Sequence, residues 1–468
     1  MCQEADPPPK PAWPQVLVAA LILEAALGAA FFFWAGRQAS APVDERQPGM
    51  DRSSAGTSAQ PSPFLAGKLV AGTGLPAALA GAWPGFRGPN GDGVAADRTA
   101  IGQKWAPLWT VDLGEGFAGA AVRDGRVYVL DYDQEISSDA LRCLSLADGG
   151  EIWRFTYPVK VKRNHGMSRT TPTLAGRYVV SLGPKCHVVC LDSTTGQFVW
   201  GIDLVNEYSA EVPEWYAGQC PLVDRGRVIL APGGDALLIA VDLATGRVAW
   251  KTPNPNGWKM THASILPVEF SGRRQYVYCG SRGVAGISAD DGSILWETDQ
   301  WAISIATVPT PVDAGGGKLF FSGGYNSGAK MLQLTESGGK VAPVELFRLR
   351  AAAFGATQQT PILYREHIYG VRPDGQLACL DLTGKVVWTS ACKFGLGPFL
   401  IADGKIFLMN DEGVLTLAEA SPSGYRQLAQ SKVLSGQDSW APMALAGSRL
   451  LARDLTRMVC LDVSGGGP

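Results

Sequence analysis

Along residues 105–463 short apolar runs alternate with polar, glycine-containing turns, and the unit recurs roughly every 40 to 50 residues, the period of a four-stranded propeller blade. The second half of each unit is the clearer. An apolar run enters a polar turn and returns to a tryptophan: LRCLSLADGGEIW ends at Trp153, VVCLDSTTGQFVW at Trp200, IAVDLATGRVAW at Trp250, AGISADDGSILW at Trp296 and LACLDLTGKVVW at Trp388. In these turns Asp192, Asp242 or Asp381 can bond its own downstream backbone, and Gly196, Gly246 or Gly384 supplies a positive φ. Side chains alternate along a strand, so a tryptophan four residues past the glycine lies on the glycine's face. A large ring at that fixed place is suited to packing against the next sheet, which makes these tryptophans structural, with Phe347 in their place in the fifth unit.

The first half of the unit is a strand that opens on Gly-basic-apolar-aromatic. It occurs eight times, at Gly125, Gly176, Gly226, Gly272, Gly317, His367, Gly404 and Gly447. Most copies follow a short run containing proline (Pro172, Pro221, Pro267, Pro311, Pro361, Pro398 and Pro442), and proline in a strand implies a sheet edge, as the innermost strand of a blade must be. The eighth unit ends at Cys460-Leu461-Asp462 without its last strand, while Trp109 stands in a spare strand near residues 105–113. Pairing the two ends closes the ring and protects its edges. The prediction is an all-β, eight-bladed propeller over 105–463, with a tail at 464–468 and Trp109 as a further docking ring.

Upstream the pattern changes. After a short tail (1–12), Trp13 to Trp34 reads WPQVLVAALILEAALGAAFFFW, long enough to cross a bilayer as one helix and flanked by tryptophans where interfacial aromatics sit. Glu24 near midspan must be protonated or paired there. The segment 13–36 is expected to be an uncleaved transmembrane signal anchor; a cleaved secretory signal, or a buried helix, is the alternative. Against cleavage, the first ten residues carry Glu4 and Asp6 against Lys10 rather than a basic n-region. Residues 37–82, rich in Ser, Ala, Pro and Gly, read as a flexible, disordered linker. Gly72, Gly74 and Ala77 form a nominal dinucleotide fingerprint, but no βαβ unit surrounds them. A lead-in segment, 83–104, precedes the blades.

Composition narrows the function. The chain has 468 residues, 57 Gly, 14 Trp, 18% charged residues and a formal net charge of −2, so it lacks the basic stripe that nucleic-acid binding requires. No metal-ligand or nucleophile motif occurs: HExxH, CxxC and GxSxG are absent. Asn90-Gly91-Asp92-Gly93 reads as a tight turn rather than a Ca²⁺ loop. Cys143, Cys190, Cys379 and Cys460 share one slot of the repeat, filled elsewhere by Ala240 and Gly286, which marks them as small buried residues rather than disulfide partners.

The repeats resemble the quinoprotein-like, or PQQ-repeat, propellers, through the [AC]-x-D-x-x-T-G-x-x-x-W run at Cys190–Trp200 and Ala240–Trp250. Trp83-Pro-Gly-Phe-Arg-Gly-Pro-Asn-Gly-Asp-Gly-Val94 is similar to a motif of bacterial anchored propellers related in fold to the outer-membrane assembly factor BamB. The resemblance implies an extracytoplasmic (periplasmic) location. It leaves two functions open. The dehydrogenase branch holds PQQ and Ca²⁺ in the funnel, typically over adjacent cysteines, and this sequence has no adjacent cysteines. The assembly branch carries no cofactor and binds proteins on one face.

Candidate binding residues lie in the connectors that lead into the inner strands and point at one funnel mouth: His165, Arg169, Trp215, Trp258, Lys259, His262, Trp301 and Trp440. They suit a protein partner or a planar or anionic ligand. The leading expectation is a membrane-anchored, non-catalytic interaction or assembly scaffold with protein partners and no cofactor. The alternative is a PQQ- and Ca²⁺-dependent dehydrogenase acting on an alcohol or sugar, with Arg169, Lys259 and Trp440 as cofactor contacts.

Overall fold

The computed structural model describes residues 61–95 and 100–464, together with Glu24, Leu27 and Gly28. The chain divides into two units, 1–45 and 46–468, and the propeller belongs to the second. Apart from those three residues, the segment 13–36 lies outside the described residues, as do the tail 1–12 and residues 37–60. Among the described residues no helix is long and apolar enough to cross a membrane.

Eight antiparallel sheets follow one another in the chain as blades 1 to 8: 121–158, 173–203, 222–253, 266–298, 312–349, 362–393, 399–432 and 444–462. In each, the first strand, which in most blades carries or follows a proline, is the inner edge. Blade 8 takes its outer strand from Ala106–Asp112, which pairs with Arg457–Asp462 so that Trp109 lies opposite Cys460. The spare strand therefore closes the ring.

One contact repeats around it. A Cβ built on the turn glycine of each following blade would fall 2.8 Å from Trp109 (at Gly149), 2.7 Å from Trp153 (at Gly196), 2.8 Å from Trp200 (at Gly246), 2.4 Å from Trp250 (at Gly292) and 2.7 Å from Phe347 (at Gly384). The glycine is thus required twice, by its positive φ and by the ring pressed against it. The indole N–H completes the joint. Trp109, Trp200, Trp250 and Trp388 donate to the carbonyls of Leu146, Leu243, Ala289 and Ser421 at 2.9–3.2 Å. At blade 2 the corresponding carbonyl, Ser193, is taken by the Tyr128 hydroxyl at 2.9 Å, and Trp153 Nε1 has no partner. Three of the eight joints lack the ring-on-glycine contact: a Cβ at Gly424, in the turn of the blade after Trp388, would touch nothing, the outer strand Gln427–Lys432 of blade 7 has no aromatic residue, and Trp296 departs furthest. Blade 5 replaces the glycine turn with a long hairpin, Gly328–Ser337 and Lys340–Leu349, and the Trp296 indole turns to Gln275 Oε1 of its own blade at 2.7 Å.

The linker expectation fails from residue 61 onward. Pro63–Ala66 form a 3-10 turn, and Lys68–Ala71 add a fifth strand to the outer edge of blade 1, from Lys68 opposite Thr156 to Ala71 opposite Trp153. The N–H groups of Gly72, Gly74 and Ala77 then bond the carbonyls of Ile152, Glu151 and Gly125 at 2.8–3.0 Å. All four side chains of the added strand are exposed, so its order comes from backbone pairing with an open sheet edge. Phe64 pins the start, stacked 6.0 Å from Phe198 in a space left by Gly201, where a Cβ would lie 2.7 Å from its ring.

The eight described cysteines are free thiols, and all but Cys392 are buried. Burial pushes the thiols of Cys143, Cys190 and Cys460 up to about 12 and that of Cys379 to about 11, as expected for packing residues. Cys186 lies in the turn before the strand His187–Asp192 that carries Cys190, with φ +67°.

Between blades 1 and 2 lies a buried polar group. Asp139 is fully buried and accepts the Tyr157 hydroxyl on Oδ2 at 2.5 Å, while Oδ1 has no partner. Burial raises its carboxyl to about 7. Burial likewise holds His187 neutral, down to about 4, with Asp203 at 3.7 Å from its Nε2.

Two outcomes are expected. Gly246 and Gly272 share φ +69°, but nothing lies within 4 Å of a Cβ at Gly272. Gly272→Ala should therefore lose only the backbone cost of about 1 kcal/mol, and Gly246→Ala roughly 1–3 kcal/mol more; equal losses in thermal unfolding would contradict the docking contact. Second, the native state holds the Asp139 proton more tightly than the unfolded chain, so this group's stabilisation falls as pH rises from about 4 to about 7. His187 has the opposite sign over much of that interval, so the test is the difference between wild type and Asp139→Asn. Melting curves from pH 4.5 to 8 should show that difference moving against the wild type up to about pH 7 and then levelling; a pH-independent difference would be the contrary result.

Candidate functional site at the channel mouth

The connectors between blades carry most of the candidate residues, and the backbone holds them in pairs. The connector before blade 1 runs beside the one before blade 2: Phe117 N–H donates to Ser168 O at 2.7 Å and Met167 N–H to Glu115 O at 2.9 Å. Arg169 then braces the mouth. Its Nε donates to the Trp215 carbonyl at 2.5 Å and its Nη2 to the carbonyls of Asn164 and His165 at 3.0 and 2.7 Å. Its guanidinium carbon lies 5.3 Å from the centre of the Phe117 ring, cation–π distance. Phe117 stacks in turn on Trp440 at 5.3 Å, whose indole N–H donates to Asp411 at 2.8 Å.

These groups surround a cavity of about 350 Å³ lined by His165, Arg169, Trp215, His262 and Trp440 together with Phe86, Phe117, Gly218, Cys220, Tyr325, Gln358, Gln359 and neighbouring apolar residues. Five of the eight candidates are thus brought together. Three are not. Trp258 is buried in the apolar core that includes Tyr276 and Tyr278, over Gly280, where a Cβ would lie 2.7 Å from the ring. Trp301 is buried 5.9 Å from Phe321, beside Gly323. Both act as wedges between blades. Lys259 is exposed, pairs with Glu211 at 2.7 Å and does not line the cavity. Missed residues include Phe117 and Phe86; the first occupies a connector of the same class as Trp440, which was the available signal.

His262 is the chemically distinctive group. Gly218 makes room for it: a Cβ there would lie 2.4 Å from the imidazole. One ring nitrogen bonds the Tyr216 backbone, and burial, with Arg169 nearby, lowers its pKa to about 4. Its Nε2 is buried without a protein partner. The lining contains no Asp or Glu, so it assembles no carboxylate–histidine pair for general acid–base chemistry.

The floor of the cavity comes from the lead-in segment, which crosses the channel. Trp83 exchanges both backbone bonds with Val122 of blade 1 at 2.7–2.8 Å, Leu174 N–H of blade 2 donates to Pro84 O at 2.7 Å, and Ala95 and Gly93 bond Ile401 of blade 7 at 2.8 and 3.0 Å. Arg87 locks the crossing. It donates to the carbonyls of Gly91 and Asp92 within the segment and of Thr360 and Pro361 at blade 6, at 2.8–3.0 Å, and burial lowers its pKa to about 10. Residues 90–93 form a turn inside it, with Gly91 and Gly93 at φ +69° and +80°. Beyond the segment lies a second cavity of about 680 Å³ against the inner strands of blades 2 to 5, and Phe86 and Cys220 line both cavities. The channel is divided rather than open.

Comparison with known proteins agrees with the fold. The family model described as outer membrane protein assembly factor BamB matches residues 137–390, more than half of the chain. Outer membrane protein assembly factor BamB of Yersinia pestis is 23% identical over 277 residues, covering 57% of this chain and 67% of that protein. Among solved structures, BamB from Moraxella catarrhalis superposes with a TM-score of 0.54 at 13% identity, over 77% of this chain and all (100%) of that one. Quinohemoprotein alcohol dehydrogenase from Comamonas testosteroni superposes at 0.60, also at 13% identity, over 83% and 81%. At such identities the two structures speak for the fold alone.

The crossing segment generates a test. Arg87→Met removes the donors of four carbonyls, which should weaken the segment by about 2 kcal/mol and speed amide exchange over 84–95 about 30-fold, with the blade strands unchanged. Unaltered exchange there would show that Arg87 does not hold the segment.

Proposed function

This chain belongs to the family of outer membrane protein assembly factor BamB, and from that premise we propose that its propeller is a non-catalytic platform that docks protein partners at the channel mouth. We further propose that residues 13–36 anchor it in the membrane with the propeller outside the cytoplasm, in the periplasm. The carrying observation is the mouth itself. It presents Trp215, Trp440, Phe117, Tyr325 and Arg169 around a shallow cavity whose floor is closed by the chain's own lead-in segment. Aromatic residues and arginine are the side chains that dominate protein-binding energetics, and a closed floor suits surface docking better than passage through the channel.

The dehydrogenase reading asks for PQQ and Ca²⁺, and the residues present do not fit them. Ca²⁺ takes 6–8 oxygen ligands, commonly carboxylates, yet no Asp or Glu lines the mouth cavity, and although Asp92, Asp224 and Asp313 line the larger cavity, the described residues hold no group of three His, Cys, Asp or Glu near enough to share a metal. Arg169 is committed to backbone carbonyls and Lys259 to Glu211.

Ile305 and Tyr325 are 53% and 47% exposed, Ile305 in a mouth connector and Tyr325 on the cavity lining, while Val344 and Leu346, each 48% exposed, lie on the outer strand of blade 5. Purification of the full chain from cross-linked membranes should recover envelope proteins that Ile305→Glu with Tyr325→Glu reduces at least about tenfold and that Val344→Glu with Leu346→Glu leaves in place. Recovery insensitive to the mouth pair would refute mouth docking. Quinone-dependent oxidation of an alcohol or sugar by the purified chain would refute the non-catalytic reading.

A further inference from the structure

We propose that the larger cavity, beyond the crossing segment, takes an extended segment of a partner protein that pairs its backbone with Val223 and brings a lysine or arginine to Asp313. This site is separate from the mouth, and the inference does not depend on mouth docking.

The inner strands share one register. Val122 of blade 1, Leu174 of blade 2, Val223 of blade 3 and Ile401 of blade 7 each stand one residue before the pair that flanks the hairpin turn: Arg123 with Arg126, Ala175 with Tyr178, Asp224 with Arg227 and Ala402 with Lys405. Antiparallel pairs alternate between bonded and non-bonded, so the N–H and carbonyl of this residue point away from its own sheet and into the channel. The lead-in segment uses them at blades 1, 2 and 7. Trp83 takes both groups of Val122, the Pro84 carbonyl takes Leu174 N–H, and Gly93 and Ala95 take both groups of Ile401. Val223 is passed over: its main chain bonds nothing beyond its own blade among the described residues. Burial follows the same division. Val122, Leu174 and Ile401 are buried, whereas Leu222, Val223 and Asp224 are all partly exposed and all line the cavity of about 680 Å³. Its rim, at Pro89, Asn90, Gly91 and Asp313, is exposed, so the edge is reachable from outside.

Chemistry then selects the occupant. A free strand edge asks for a donor and an acceptor at strand spacing, which an extended backbone supplies; a helix bonds those groups within itself. The lead-in segment demonstrates the fit, because its own backbone is what the equivalent edges of blades 1, 2 and 7 hold. At blade 6 a side chain stands in, with Arg87 on the carbonyls of Thr360 and Pro361. Charge adds a second requirement. The lining holds Asp92, Asp224 and Asp313 against Arg87 and Arg274. Arg274 is engaged by Asp224 at 2.9–3.0 Å, and Arg87, whose charge is felt by Asp92, donates to four carbonyls. Asp313 is the surplus carboxylate. It is exposed at the rim, one oxygen accepts Gly315 N–H at 2.8 Å, and it has no ion pair among the described residues. A cationic side chain complements it and an acidic one is repelled.

The test pans a random heptapeptide phage library on the full chain in detergent. Enriched clones should carry lysine or arginine, and should bind at least about tenfold more weakly to Val223→Pro, which deletes the free N–H without removing a ladder bond. They should bind about threefold or more weakly to Asp313→Lys, which alters an exposed side chain and so reads the site even where the proline variant does not fold. The best clone, made as a synthetic peptide, gives a readout that needs no variant. Scanning N-methylation should find a backbone amide whose methylation weakens binding about tenfold, and the bound peptide should slow amide exchange at Val223 while leaving Val122 as it is. Clones that bind both variants as tightly as the wild type, tolerance of N-methylation at every position, or no enriched clone would overturn the site. Ile305→Glu with Tyr325→Glu should leave the peptide's affinity unchanged; a loss there would place the peptide at the mouth and count against this site. Failure here therefore remains distinct from failure of mouth docking, which is read from the recovery of envelope proteins.

Discussion

The contact on which the rest depends is an aromatic ring laid over a glycine of the next blade. Each blade alone is a four-stranded sheet with two apolar faces and cannot bury both. The ring-on-glycine joint fixes how far one blade is rotated from the next, because the ring's thickness sets the spacing and the indole N–H sets the height by reaching one turn carbonyl. Repeated at five of the eight joints, the contact lets the strand Ala106–Asp112 meet blade 8 in register. The joint also tolerates variation: Phe347 serves without a hydrogen bond to give, and Trp296 changes partner where blade 5 lacks the glycine turn.

Closure creates a second problem, which the lead-in segment addresses. Eight inner strands face the channel with one edge unpaired, and such edges attract other chains. The chain uses 83–95 to pair with blades 1, 2 and 7 and to cap carbonyls of blade 6 through Arg87. What remains available above it is the mouth, where connectors supply Trp215, Trp440, Phe117 and Arg169. Residues 61–67 sit at the end of blade 1 that leads into a mouth connector, since Lys68 lies opposite Thr156 and Ala71 opposite Trp153. The fifth strand then carries the chain along the blade to the far face, from which 83–95 crosses the channel.

Much of this was legible in the chain because the joint is local: the glycine, the ring four residues later and the small slot of Cys190 or Ala240 recur at fixed offsets. The closing strand was legible by subtraction, since one blade lacked a strand and one strand lacked a blade. The added strand Lys68–Ala71 was not. Its four side chains are exposed, so no hydrophobic pattern marks it, and its partner is an outer edge about 80 residues away. The tryptophans of the connectors divided for a similar reason. Trp215 and Trp440 face the cavity while Trp258 and Trp301 turn inward, and what separates them is space at Gly280 and Gly323 on a neighbouring strand, not anything in the connectors themselves.

The central claim is that the mouth, with its closed floor, is the working face. Photo-crosslinking in intact cells examines it directly, with a photoreactive residue placed singly at Ile305 or Tyr325 by the mouth and at Val248 or Ile294 on outer strands, all substantially exposed. The account predicts discrete adducts with protein partners from the two mouth positions and none from the outer strands. Adducts confined to the outer strands would contradict it.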